Sequence, residues 1–248
     1  MARSWRYLVP NGFTGVSAVL GLASIVLTIE TNLYWSAWCI LWCALLDKAD
    51  GTAARLLQAS SEFGSEFDSM ADLVAFGLAP AFLIYSAGRH AWAIDMDTFF
   101  WWVLTIGCLV YALGAAIRLA RFNLAGFIRG QRYFTGIPSP LSGALVASAF
   151  LVGLKYALPP QLLRPLPIVL GLLGIGMVSK LPVPKLIARK NRAFNVFQVA
   201  NIIAIYLCGI FVKFPEYVLS LAILYLVGGT IYGLIKAPSP THPAVQGS

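Results

Sequence analysis

Six of the chain's ten acidic residues fall between Asp47 and Asp72, and four of them carry an ordered pattern. It runs Asp47-Lys48-Ala49-Asp50-Gly51-Thr52-Ala53-Ala54-Arg55, then Gly64, Asp68 and Asp72. Helix residues three or four apart share a face, so Asp47, Asp50, Gly51 and Ala54 form one strip and Asp68 and Asp72 a second, at the start of the next helix. The segment between them is short, which makes the two helices antiparallel neighbours. Facing strips then pool four carboxylates, and like charges that close do not all stay ionised unaided. Oxygen donors without nearby His or Cys select a hard cation, Mg²⁺, Mn²⁺ or Ca²⁺, over zinc.

Gly51 and Ala54, the smallest residues on the first strip, permit either close helix–helix packing or a groove in which a bulky ligand lies against the backbone. Their register with the aspartates and Arg55 favours the groove. Arg55 is permanently charged and suits a phosphate oxygen at the membrane edge. Metal, groove and arginine together describe a diphosphate site.

The elements that carry these residues are membrane helices. With 59% hydrophobic residues, 11% charged and a mean hydropathy of +0.78, the 248-residue chain is too apolar for a water-soluble domain. Breaks at Pro, Gly and charge clusters predict spans near 12–29, 34–56, 69–88, 99–122, 138–155, 165–180, 195–212 and 216–235. Gly171, Gly174 and Gly176 weaken the helix propensity of the sixth. Arg3 and Arg6 precede an apolar run too long for a signal peptide, which is read as the first span. The fold class is an all-α integral membrane protein with about eight transmembrane helices.

Fourteen of the eighteen Lys and Arg lie in segments 1–11, 48–68, 118–137, 180–193 and 236–248, while Arg89, Lys155, Arg164 and Lys213 lie on the alternate loops. The positive-inside rule places both termini and the aspartate segment in the cytoplasm. Lys180, Lys185, Arg189, Lys190 and Arg192 read as topology determinants and lipid-head contacts. A net charge of +8 divided among loops fits anionic lipid heads and argues against nucleic acid as a partner. Cys39, Cys43, Cys108 and Cys208 fall inside spans and read as apolar packing. His90 and His242 lie away from the acids, and 237–248 reads as a disordered tail.

The pattern from Asp47 to Asp72 resembles the complete signature of the CDP-alcohol phosphatidyltransferases, with all eight fixed positions occupied. The resemblance implies a six-helix core, here 1–190, followed by an additional helix pair, 191–236, and usually a homodimer. It implies transfer of a phosphatidyl or similar group from a CDP-linked donor to an alcohol, with release of CMP. It also implies roles: Asp47, Asp50 and Asp68 as ligands of Mg²⁺ or Mn²⁺, Gly51, Ala54, Arg55 and Gly64 at the CDP moiety, and Asp72 as the base on the acceptor hydroxyl, also touching metal. Further stretches are similar to bacterial type II phosphatidylserine synthases: Ser61-Glu62-Phe63-Gly64, Phe76-Gly77-Leu78-Ala79-Pro80, Arg118 to Asn123, and Phe134 to Pro140. That similarity implies CDP-diacylglycerol and L-serine as substrates and the inner membrane as location. A serine carboxylate needs a cation, and Arg118 and Arg121, with Asn123 as a neutral partner, are the expected acceptor residues; a lipid-binding flank is the plainer reading.

Three other readings compete. The same chemistry with glycerol 3-phosphate, inositol phosphate or choline as acceptor would require a different acceptor site. Intramembrane prenyltransferases also pair acidic motifs with Mg²⁺ and a diphosphate, but on well-separated helix pairs. A cation transporter would need acids continuing across the membrane, and the later spans carry none.

Overall fold

The computed structural model describes residues 5–57, 61–125, 133–185 and 192–236, with the side chains of 5–8, 53–56 and 125 left aside. The tail at 237–248 and the basic residues Arg129, Arg132, Arg189 and Lys190 lie outside the described residues. Helix α1 is Trp5–Ile29 and α2 is Leu33–Leu57. One long rod, Glu62–Ala91, follows: α3 at Glu62–Asp72, a π-helical stretch at Leu73–Leu78, α4 at Ala79–Ser86 and a second π-helical stretch at Ala87–Ala91. Then come α5 (Phe99–Ala125), β1 (Tyr133–Thr135), α6 (Ser139–Lys155), the short α7 (Pro160–Leu163), α8 (Leu166–Val178), β2 (Pro182–Pro184), α9 (Arg192–Phe211) and α10 (Pro215–Lys236).

Among the described residues, six stretches are long and apolar enough to cross a membrane: Val9–Ile29, Glu62–Ala91, Phe99–Leu124, Pro160–Val178, Arg192–Phe211 and Pro215–Lys236. Two other expected spans are also helical. α2 has 25 residues but carries Asp47, Lys48 and Asp50, and the apolar α6 has 17. The third span begins at Glu62 rather than near residue 69, because Ser61 caps it: its Oγ accepts the Gly64 N–H at 3.0 Å. Asp68 and Asp72 therefore sit well inside a helix and not at its start.

Tight packing is built from small residues. A Cβ on Gly174 of α8 would stand 2.6 Å from the Tyr111 Cα of α5, so this glycine lets α5 and α8 meet backbone to backbone, while Gly176 makes room for the Ile137 side chain. The π-helical stretch after Asp72 works similarly. Pro80 supplies no N–H to the ladder, the Ala79 N–H bonds the Val74 carbonyl five residues back, and Ala75 and Gly77 lie against α1 and α5. Away from the acids, Ser24, Thr28, Ser36 and Ser86 form a buried hydroxyl cluster, with Thr28 and Ser36 oxygens 2.7 Å apart, satisfying polar groups where lipid offers none. The four cysteines are buried and free. Apolar side chains on the outer faces of α5, α9 and α10, including Leu109, Leu113, Ile203, Ile210, Leu224 and Ile231, are exposed, as lipid contact requires.

β1 and β2 form an antiparallel ribbon with Phe134 opposite Val183. The ribbon joins the connection before α6 to the connection after α8, and α10 packs on it: the Tyr225 hydroxyl donates to the Pro184 carbonyl. Lys185 lies 5.1 Å over the Phe134 ring, and its partial burial draws the ammonium below the ordinary lysine range.

Candidate active site

Two helices supply the acids. From α2, Asp47 is half-buried and Asp50 is 6% exposed; from α3 come Asp68 and, one turn on, Asp72, both half-buried. One oxygen from each of Asp47, Asp50 and Asp68 lies within 4.8 Å of the other two. Bonds of about 2.0–2.6 Å from oxygen to Mg²⁺ or Ca²⁺ put oxygens on opposite sides of an ion about 4–5 Å apart, so the trio has the size and the all-oxygen chemistry of a hard-cation site. Asp72 stands outside this trio but interacts electrostatically with Asp47, Asp68 and Asp50.

Among the described residues, Arg118 of α5 interacts with Asp72 and Asp47, and Lys48 of α2 interacts with Asp47. The Arg118 Nη1 donates to Ser139 Oγ at 2.8 Å, at the first turn of α6, and its Nε is buried with no hydrogen-bond partner among the described residues. The other two residues expected at the acceptor are engaged elsewhere. Arg121 is exposed and donates to the Val178 carbonyl at 2.6 Å, where it meets the negative end of α8. Asn123 is a strut between α5 and α3: its Nδ2 donates to Glu66 Oε2 at 3.0 Å, and its Oδ1 accepts from Ser69 Oγ at 2.9 Å.

Gly51 is exposed, and among the described residues a Cβ there would meet nothing within 4 Å, so no described helix fills the face beside Asp50. Gly64 is the opposite case. A Cβ there would stand 2.9 Å from Asn11 Oδ1 and 3.0 Å from Ser61 Oγ, so this glycine admits α1 against the capped end of α3. Ala54 and Arg55 continue α2, and their side chains lie outside the described residues.

From the sequence alone, four residues around the acids have no individual role: Thr14, Tyr206, Trp42 and Ser139. Thr14 of α1 donates to Asp50 Oδ2 at 3.1 Å. Tyr206 of α9 donates to the Leu45 carbonyl at 2.7 Å, within electrostatic reach of Asp47 and Asp50. Trp42 Nε1, one turn earlier on α2, donates to the Gly209 carbonyl at 3.0 Å, so α9 is riveted to the helix that carries the first acid strip. Ser139, the fourth, accepts from Arg118. Thr14 does sit three residues after Asn11 beside an apolar run, but nothing in its local sequence points to Asp50.

The family model for CDP-alcohol phosphatidyltransferases matches residues 7–179. The chain belongs to that family. The match spans α1 through α8 and includes the acid pattern. Among relatives of this phosphatidyltransferase, the protein named CDP-diacylglycerol–serine O-phosphatidyltransferase in Helicobacter pylori is 34% identical over 238 residues, covering 93% of this chain and 91% of its own. A protein of the same name in Methanocaldococcus jannaschii is 33% identical over 223 residues, 90% of each chain. An archaetidylserine synthase of Methanothermobacter thermautotrophicus is 34% identical over 147 residues, 58% of each. Alignments that cover nine-tenths of this chain reach beyond the family match, which ends at residue 179. The phosphatidyltransferase is a multi-pass membrane enzyme.

Proposed function

We propose that this phosphatidyltransferase moves the phosphatidyl group of CDP-diacylglycerol to the hydroxyl of L-serine, giving phosphatidylserine and CMP. One observation carries the chemistry: the trio of Asp47, Asp50 and Asp68 lies beside Asp72 and Arg118, so a diphosphate-binding centre, a proton acceptor and a cation share one place. Serine enters from the relatives, whose names share that acceptor while differing in the lipid.

In this reading Asp47, Asp50 and Asp68 hold Mg²⁺ or Mn²⁺, which when bound draws charge from the phosphorus under attack. The open face at Gly51, with Ala54 and Arg55, takes the CDP moiety, and Gly64 shapes that groove by keeping Asn11 close. Asp72 accepts the proton of the serine hydroxyl. The serine oxygen forms its bond to the phosphorus of the phosphatidyl group as the bond to CMP breaks, in line and without a covalent enzyme intermediate. Arg118 neutralises the serine carboxylate, which enters beside Asp72. Arg121 and Asn123 border that region through the C-terminal end of α8 and the α5–α3 strut.

The distribution of basic residues supports a site facing the cytoplasm, with both termini on that side of the inner membrane. The family's homodimer belongs to the same reading. The test is to incubate purified protein with CDP-diacylglycerol, Mg²⁺ or Mn²⁺, and serine, glycerol 3-phosphate, inositol phosphate or choline in turn, and to identify products by mass. Phosphatidylserine and CMP are expected with serine. Product with another alcohol and none with serine overturns the acceptor, and pyrophosphate in place of CMP overturns the reaction class.

A further inference from the structure

Thr14 and Asp50 meet in the protein interior across 36 residues of sequence. Both are buried, at 4% and 6% exposure, and the Thr14 hydroxyl lies 3.1 Å from Asp50 Oδ2. The same hydroxyl lies 3.2 Å from the Pro10 carbonyl. It has one proton to give, and the carboxylate is the stronger acceptor. A buried carboxylate that serves a cation with one oxygen leaves the other in need of a donor, and such outer partners fix the orientation of the ligand. Helix α1 touches the second acid helix as well. Asn11, on the same face as Thr14 three residues earlier, fills the space that Gly64 leaves at the start of α3.

We propose that Thr14 is a positioning residue for Asp50, holding its carboxylate in the orientation that joins Asp47 and Asp68, with α1 acting as a bracket across both acid helices. The inference rests on the divalent-cation reading above. It assigns to α1, which carries no acid in the pattern, part of the affinity for the ion.

The experiment is Mn²⁺ binding to the full-length protein in nanodiscs, followed by electron paramagnetic resonance and by the Mn²⁺-induced rise in melting temperature, for wild type, Thr14→Val, Thr14→Ala, Thr14→Ser and Asp50→Asn. Loss of an outer-shell partner weakens metal binding by about 10–100-fold, so Thr14→Val is expected to raise the Mn²⁺ midpoint by at least about 10-fold, and Thr14→Ser to stay within about threefold of wild type. Should Thr14→Val fail to fold, Thr14→Ala must show the raised midpoint. If the hydroxyl served only the Pro10 carbonyl, its removal would alter the metal-free melting temperature at most and leave the midpoint unchanged; an unchanged midpoint overturns the inference, as does Thr14→Ser behaving like Thr14→Val. If wild type and Asp50→Asn alike bind no Mn²⁺, the cation reading itself fails and this inference with it.

Discussion

Arg118 and Ser139 are joined by a 2.8 Å hydrogen bond from Nη1 to Oγ, which ties the C-terminal part of α5 to the first turn of α6 and holds the guanidinium toward Asp72 and Asp47. The bond recruits only one of Arg118's donors, and the buried Nε has no partner among the described residues. A cation so held suits a carboxylate ligand arriving between it and Asp72.

Arg118→Lys is therefore expected to raise the KM for serine by about 10-fold or more while changing the KM for CDP-diacylglycerol little, because an ammonium cannot reproduce both the Ser139 bond and a forked contact to a carboxylate. Steady-state kinetics with each substrate varied in turn checks this. Equal rises in both KM values would make Arg118 a counter-charge for the acids alone.

Asp72→Asn should lower kcat by about 10²–10⁴-fold, the usual contribution of a general base, with CDP-diacylglycerol binding largely kept. Asp47→Ala should lose donor binding as well. Binding of a labelled CDP-lipid to the two variants separates the roles; equal loss in both would make Asp72 chiefly a ligand.

The two signature glycines should part company. Gly64→Ala forces a methyl against Asn11 and Ser61 and is expected to destabilise by about 1–3 kcal/mol, as overpacking does. Gly51→Ala meets no atom of the described residues and gains helix propensity, so its stability should hold or rise by up to about 1 kcal/mol. Its KM for the CDP-lipid should nonetheless rise if the open face is the nucleotide groove. Thermal unfolding in detergent beside donor kinetics tests both.

Chelation with EDTA is expected to abolish turnover, and Mn²⁺ or Mg²⁺ to restore it, since three carboxylate oxygens within 4.8 Å of one another repel when ionised and a bound cation offsets that repulsion. Asp50→Asn should need a higher metal concentration for half-maximal rate. Full activity in chelator would remove the cation from the mechanism.

Tyr206→Phe should cost about 0.5–1.5 kcal/mol through the lost bond to the Leu45 carbonyl, and more if that carbonyl is left without water. Chemical denaturation in detergent measures it. A fall in kcat beyond what the stability loss explains would extend the role of α9 from supporting α2 to shaping the acid cluster.

The sequence by itself determined the membrane character of the chain, the helical stretches and the acid strips, because composition and a 3.6-residue period are local properties. The spacing of Asp47 and Asp50 on α2, and of Asp68 and Asp72 on α3, already places each pair on one face, and the short link brings the faces together. The beginning of the third span was less legible: Ser61, a capping side chain, outweighs the polar residues between Glu62 and Asp68 and starts the helix earlier than hydropathy does. Tertiary structure alone decided which neighbours serve the acids. Thr14, Ser139 and Tyr206 are ordinary polar residues in their own segments, and only helix packing carries them to Asp50, Arg118 and the α2 backbone. Packing likewise engaged Asn123 with Glu66 and Ser69, gave Gly64 to Asn11 and left Gly51 clear of the described residues, since a glycine's use depends on what stands opposite it, and no local period records that.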